Sequence, residues 1–491
     1  MKRNIKNWVI VLATVMLTAC TDWLDVGSKS EVNEDEMFRT AEGYYATLTG
    51  LYLNLGSTQL YGGNLPLLAL EPLTQQYSIN TDKPDRVQWS QFNYQTDGGQ
   101  QMVSEIWLTM YNTIVNANMI LQQLDHATES GVDARVADIL RGETLGLRAL
   151  MYLDLLRLFN DAPAANPDCR NVPFKTDFGF ELGEQLTTAT LLDRLATDLQ
   201  TACRLLQQDP LAASPVAFSV GSDSVAAQTA PYLAYDRRER MNLDACTALL
   251  ARLELYRQHD DEAARLARQV IDSRRYRYIR PEEVVETDAY GAELRADRLF
   301  VPELIFALYT ENILTTSRSN YEGLTGDFVK TADLLDESDV RRQWLFSNPS
   351  ALGKINLIRY QRSTRQQDQS RYGHPVVPML KLSEMQLIVA ECALRRGDIS
   401  EARLQLNTLR TARGEAELPA TVTLQDLDDA LTHEYQCDFR GEGQLFYYYK
   451  RRGFATIDDG YGKGNTVSVA TSAYTLPLPP YEIQFGYGKK D

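Results

Sequence analysis

The sequence predicts a mainly α-helical protein: a scaffold of tetratricopeptide-like helical pairs that carries a long, irregular, loop-rich half suited to binding a ligand. Three observations lead there. Apolar residues recur at helical spacing through a series of long segments. Two of those segments form related helix–turn–helix units. The stretches between the segments are long, turn-rich and aromatic.

The first helix is predicted over residues 34–55, where Phe38, Ala41, Tyr45, Leu48, Leu51 and Leu55 follow the three-and-four spacing of one helical face. Residues 102–124, 135–159, 190–207, 241–258, 261–273, 382–396, 400–413 and 424–439 read the same way. Residues 249–266, LLARLELYRQHDDEAARL, can be laid over residues 387–404, LIVAECALRRGDISEARL, which places Asp260 on Asp398, Ala264 on Ala402 and Arg265 on Arg403. Both are two helices around a turn, with a small residue early in the second helix where the pair must approach closely, the logic of a tetratricopeptide-like repeat. A more diverged third unit joins 141–159 with 190–206 across a long insertion. The repeats are too few and scattered for an open solenoid, so they are read as a scaffold.

The intervening loops hold the remaining information. Residues 56–101 contain Tyr61, Tyr77, Trp89, Phe92 and Tyr94; residues 211–240, 276–299, 309–343 and 348–378 are similar in kind, the last holding Tyr360 and Tyr372. Loops of this length in a compact body are usually functional or disordered, and their aromatic content argues against disorder.

The N-terminus reads as a bacterial lipoprotein signal. Lys2, Arg3 and Lys6 are a positive n-region, Trp8 to Leu17 an apolar h-region, and Leu17-Thr18-Ala19-Cys20 a lipidation site. Residues 1–19 are then the signal peptide, Cys20 the lipidated first residue, and 20–36 a polar tether. The h-region falls short of the roughly 20 apolar residues a spanning helix needs, so anchoring falls to acyl chains. Removing Lys2, Arg3 and Lys6 takes the formal charge from -16 to -19. Such acidity argues against nucleic acid and against docking on anionic lipid. The other cysteines are Cys169, Cys203, Cys246, Cys392 and Cys437; no CxxC pair exists, and no essential disulfide is expected.

The chain resembles the SusD/RagB nutrient-uptake lipoproteins of the Bacteroidetes outer membrane. The resemblance is carried by collinear motifs behind the lipobox: Trp23-Leu24-Asp25, WLTMYNTIVNANMIL from Trp107, RGETLGLRALMYLDLLRLFNDAP from Arg141, PELIFAL from Pro302, KLSEMQLIVAECALRRGD from Lys381, LNTLRTARG from Leu406, HEYQCDFRGEGQLFYYYKR from His433 and LPLPPYEI from Leu476. It implies a single SusD-like domain over 37–491, with an N-terminal part to about 230 and a C-terminal part from about 231. It also implies a surface-exposed, lipid-anchored outer membrane protein whose partner is a SusC-like TonB-dependent transporter. The implied ligand is an oligo- or polysaccharide; the alternative is peptide capture, as in RagB-like members. Within the motifs, Glu143 and Arg148 are expected to tie helices, and the Arg440-Gly441-Glu442-Gly443 turn to need glycine for positive backbone dihedrals.

A sugar ring presents an apolar C–H face edged by hydroxyls, so an aromatic can stack on it while polar side chains at the rim read the hydroxyls. The early loop offers that mixture in Tyr77, Asn80, Asp82, Arg86, Trp89, Phe92 and Tyr94. The resemblance implies further contacts from the middle of the chain, where the candidates are Tyr290, Tyr321, Trp344 and Tyr372. Asn80-Thr81-Asp82 with Asp85 could present oxygens to a structural calcium, though the EF-hand pattern is absent and a polar turn accounts for the same residues. No other cofactor is expected. A glycoside-processing enzyme remains the distant alternative: no carboxylate pair stands out, the four histidines are scattered, and no HExxH, GxSxG or P-loop is present.

Overall fold

Helices formed from the segments of 3.6-residue periodicity make up most of the chain. The computed structural model describes residues 34–179, 181–209, 237–287, 293–323, 326–330, 338–361, 375–460 and 464–486. The principal helices are α1 (Ala41–Leu55), α2 (Asp97–Gln123), α3 (Ala134–Phe159), α4 (Thr188–Leu205), α5 (Leu243–Tyr256), α6 (Asp260–Asp272), α7 (Leu382–Arg395), α8 (Ile399–Ala412), α9 (Leu424–Asp438) and α10 (Gln444–Arg452). Their starts are set by side-chain caps that satisfy orphan N–H groups: Thr96 for α2, Asp133 for α3, Thr187 for α4, Asn242 for α5, Asp398 for α8, and a Thr423/Asp426 capping box for α9.

Successive pairs stack: α3 on α4, α4 on α5, α5 on α6, α6 on α7, and α7 on α8 and α9. The two related units therefore lie side by side although a long segment separates them in sequence, and the diverged unit, α3 with α4, continues the same stack. Ala264 and Ala402 are both buried at the equivalent place. Across the joint between units, Arg395 pairs with Asp260 at 2.9 Å and Arg268 with Glu401 at 2.6 Å.

Helix α3 is apolar nearly all round, and every residue from Gly142 to Phe159 is buried, as a central helix must be. Its polar side chains are consequently paired. Glu143 accepts from the Tyr52 hydroxyl at 2.9 Å and from Arg240 at 3.2 Å, and also pairs with Arg237. Arg148 reaches Asn118 at 2.9 Å and Asp198 at 2.6 Å, tying α2 and α4 to α3. Both are the helix ties their setting in the sequence suggests. Cys246 and Cys392 are likewise buried helical residues, and no disulfide joins the described cysteines.

Strands are few and short. The longest pair, β2 (Leu304–Tyr309) with β4 (Val376–Lys381), is antiparallel and almost wholly buried; β1 (Tyr77–Ser78) pairs with β3 (Phe328–Val329). Residues 56–101 are not one irregular loop. They contain a π-helical turn, Asn64–Ala69, and the short helices Leu70–Leu73 and Pro84–Ser90. Burial of Leu65, Leu67, Leu70 and Leu73 drives this ordering despite Pro66 and Pro72. Helix α10 is a separate element that the periodicity of the sequence does not mark. It follows a turn in which Gly441 and Gly443 have φ of +74° and +72°, the conformation expected of that motif. Gly443 donates its N–H to Glu71 at 3.0 Å, and a Cβ there would lie 2.5 Å from the Leu65 carbonyl oxygen.

A buried ionic network occupies the junction between the helical stack and the loop-bearing half. Its carboxylates are Glu303, Asp339, Glu415, Glu434, Asp438 and Glu442, and its cations are Arg341, Arg359, Lys381, Arg410 and Arg413. Arg341 holds Glu415 at 2.6 Å, Asp339 at 2.7 Å and Glu434 at 2.9 Å; Arg413 holds Glu303 at 2.7 Å and Asp438 at 3.0 Å. Burial alone would raise Asp438, but Arg413, Lys381 and Arg341 outweigh it and hold its carboxyl well below the usual range. Burial and the adjacent Glu434 instead push Glu415 up to about 8.

Two predictions follow from this packing. Glu391, buried on α7, pairs with Arg451 of α10 at 2.8 Å and with Arg395 at 2.9 Å. Burial opposes its ionisation, yet Arg451 and Arg395 hold it at about 2, below the ordinary 4.5. A depressed carboxylate stabilises the fold above the unfolded value and loses that contribution as pH falls through the folded one. Glu391→Gln is expected to cost about 3 kcal/mol at neutral pH by denaturant titration, with the gap from the parent closing as pH drops from 4.5 towards 2. Gly443→Ala is expected to destabilise by about 1–3 kcal/mol, read as a lowered denaturation midpoint, whereas Ala at the exposed Gly353, with nothing within 4 Å of its Cβ, costs less.

Candidate functional site

Three stretches far apart in sequence converge on one surface. In the β1–β3 pair, Tyr77 lies opposite Val329 and Ser78 opposite Phe328. Beyond it, the Asn80 N–H donates to Asp327 at 2.9 Å, and the Asn80 side-chain oxygen accepts from the Asp82 N–H at 3.0 Å, a turn of the kind Asn favours. Pro84 then starts the short helix Pro84–Ser90. From it Arg86 donates to Asn320 at 2.7 Å, pairs with Asp327 at 2.5 Å, and lies 5.8 Å from the centre of the Tyr321 ring. Lys83 also reaches Asn320, at 3.0 Å; burial, and then Arg86, lowers its ammonium. On the far side of β3, Val329 donates to Ile355 at 2.9 Å and the Lys354 ammonium sits 3.8 Å above the Phe328 ring. Lys330 donates from its backbone to Gln76 at 3.1 Å and from its side chain to Asp459 at 2.9 Å, which brings in the C-terminal region.

This convergence brings the early candidates together with Tyr321 but turns most of the aromatic ones inward. Trp89 is 2% exposed, donates its indole N–H to Ala69 at 2.7 Å, and meets Tyr94 edge-on. Tyr94 is buried and donates to Ala473 at 2.6 Å. Tyr77 is buried edge-on against Tyr321, whose hydroxyl donates to Leu67 at 2.6 Å. Trp344 is buried edge-on against Phe300. None of these rings presents an open face, so the expectation that they are sugar platforms is corrected: apolar area and a hydroxyl or indole N–H that finds an internal partner favour burial. Phe92 is half-buried against Tyr474. Asp82 is exposed, Asn80 and Arg86 are half-buried, and these three form the polar rim. Cys20, Tyr290 and Tyr372 lie outside the described residues.

The residues the sequence reading missed are Lys83, Asn320, Asp327 and Phe328. Half-buried Phe328 is the aromatic that the paired strands place beside the rim. No local pattern marks it, because its neighbour Ser78 lies about half the chain away in sequence. Of the oxygens considered for calcium, that of the Asn80 side chain accepts from Asp82 in a turn, and the Asp85 carboxylate lies against Gly98 at the start of α2.

A stack of helical pairs that holds a surface assembled from distant loops defines a helical-repeat protein with long structured insertions. A family profile described as "Starch-binding associating with outer membrane" matches residues 22–229, and the SusD family profile matches residues 351–476. The chain belongs to the SusD family. Its fold is shared with a SusD superfamily protein from Bacteroides thetaiotaomicron (TM-score 0.69, 20% identity, 91% of this chain and 98% of that one). It is shared also with a SusD-like carbohydrate binding protein from Bacteroides vulgatus (TM-score 0.64, 16% identity, 91% and 96%) and with surface glycan-binding protein A from Bacteroides thetaiotaomicron (TM-score 0.67, 18% identity, 93% and 99%). A search of curated sequences finds no match. Among the described residues no helix is long and apolar enough to cross a membrane.

Trp89→Ala tests the corrected assignment. A core role predicts a loss of about 3–5 kcal/mol in folding stability by denaturant titration; a platform role predicts unchanged stability.

Proposed function

We propose that this chain is a lipid-anchored cell-surface protein that captures oligo- or polysaccharide and delivers it, without cleaving it, to a SusC-like TonB-dependent transporter of the outer membrane. Family membership supports the reading, as do the carbohydrate-binding descriptions of structural relatives and the lipobox ending at Cys20. The observation that carries it is the union of the early and middle loops into one surface, with Phe328 half-open beside Asn80, Asp82, Lys83, Arg86 and Asn320. Stacking of a pyranose C–H face on Phe328, with hydroxyls reading the rim, is the chemistry such a surface supplies. Nothing in it needs an acid–base pair, because capture and release leave the glycosidic bond intact.

The test uses the chain from residue 21 onward, which keeps every described residue, against panels of oligosaccharides and peptides by isothermal calorimetry. Binding to at least one glycan class is expected, with Phe328→Ala and Asp82→Ala weakening it about tenfold or more, the scale of a contact worth roughly 1.4 kcal/mol. Binding confined to peptides would replace the glycan reading, and release of reducing ends on incubation would end the noncatalytic one.

A further inference from the structure

Two cations of the loop surface share one neutral acceptor. The Asn320 side-chain oxygen accepts from the Lys83 ammonium at 3.0 Å and from the Arg86 guanidinium at 2.7 Å, so two positive charges stand within a few ångströms of each other. Among the described residues one carboxylate is bonded to this pair, that of Asp327, and its side chain is fully buried. Both of its oxygens are engaged: one accepts from the Asn80 N–H at 2.9 Å, and the other pairs with Arg86 at 2.5 Å. Asp327 therefore balances Arg86. Lys83 is left with neutral partners, Asn320 and the Ser319 carbonyl at 3.4 Å.

Like charges this close repel, and an amide oxygen cancels neither of them. Of the influences on the Lys83 ammonium, burial is the largest and Arg86 the next, both lowering it; the opposing pull of Asp327 comes last. The rim at Lys83 is therefore locally positive. Nearby carboxylates do not reverse this, since that of Asp85 lies against Gly98 and Asp82 is not among the charges that act on the ammonium. Nor does the formal charge of -16 on the whole chain, because at physiological ionic strength exposed charges are screened beyond about 8 Å. Lys83 is half-buried, within reach of solvent. A further cation, Lys354, stands 3.8 Å over the ring of Phe328, the residue next to Asp327 on β3.

A pyranose that bears a carboxylate or a sulfate ester carries its anion at the edge of a ring whose C–H face can stack on an aromatic. Phe328 and the cationic rim offer these two contacts on one surface, and a lysine ammonium is a point charge that takes either anion. We infer that the glycan captured here is acidic and that Lys83 receives its carboxylate or sulfate. The inference rests on the capture reading above and narrows it to a charged class of ligand.

Calorimetry on the chain from residue 21 onward compares uronate oligosaccharides (oligogalacturonate, hyaluronan) and a sulfated one (chondroitin sulfate) with their carboxyl-reduced or desulfated forms, alongside neutral glycans. At least one acidic glycan is expected to bind about tenfold or more tightly than its neutralised form, and to weaken as salt is raised. The carboxyl-reduced and desulfated arms identify which anion is read. Lys83→Met, which keeps the stem and drops the charge, should remove the preference, and Lys83→Arg should retain it. Equal binding of charged and neutralised forms, binding confined to neutral glycans, or a preference that survives Lys83→Met overturns the inference and leaves the capture reading standing. Failure to bind any glycan, acidic or neutral, removes both.

Discussion

The arrangement on which the rest depends is the cage of charge around Arg341 and Arg413. Taking a guanidinium out of water costs several kcal/mol, and only close, multiply bonded carboxylates repay it. Here Arg341 and Arg413, both fully buried, together contact Glu303, Asp339, Glu415, Glu434 and Asp438. Such a network adds little net stability over an apolar core of the same shape, yet it is intolerant of misalignment, because a displaced partner leaves a bare charge. Its members come from the residue before β2, the start of the short helix Val340–Leu345, Arg359 before β4, the end of β4, the last turn of α8 and the segment after it, helix α9 and the turn before α10. It therefore fixes the helical stack and the loop-bearing half in one relative position.

The loops inherit that position. Glu303 immediately precedes β2 and Lys381 ends β4, so the network clamps the two-stranded link from which the middle segments depart. Arg359 is held against Glu442, and Tyr360 donates to the Gly441 carbonyl at 2.8 Å, bringing the chain back to the glycine turn. That turn in turn grips the early segment through Glu71. The early and middle loops thus meet because both are anchored to the same short stretch between α9 and α10.

This dependence explains what the sequence did and did not disclose. The scaffold was legible because an amphipathic helix writes its buried face every three or four residues; Ala264 and Ala402 identify the close crossings of both repeat units, and Glu143 and Arg148 declare themselves as ties by standing in an otherwise apolar helix. The early loop and the middle of the chain do meet on one surface. Which side chains face outward was not legible. Trp89, Tyr77, Tyr94 and Tyr321 have the composition of a binding loop, but each spends its ring on the core, and Trp89, Tyr94 and Tyr321 give their polar hydrogens to the carbonyls of Ala69, Ala473 and Leu67 from other elements. Phe328 and Asn320 carry no local signal because their setting comes from pairing with residues about as far away as the repeat units are from the early loop.

The rim that remains is already internally bonded: Arg86 to Asn320 and Asp327, Asn80 to Asp82 and Asp327. For the capture proposed above, this has a direct energetic consequence. A preordered rim spares the entropy of fixing long side chains when ligand arrives, so hydroxyls can be read without rearrangement. One half-buried aromatic, on the other hand, offers little apolar area to cover. Small buried area with little ordering cost gives modest affinity reached quickly and lost quickly, since affinity differences lie mainly in the off-rate. The hand-over to a transporter proposed above is served by that balance, and a deep aromatic cleft made from Trp89 and Tyr94 would have worked against it.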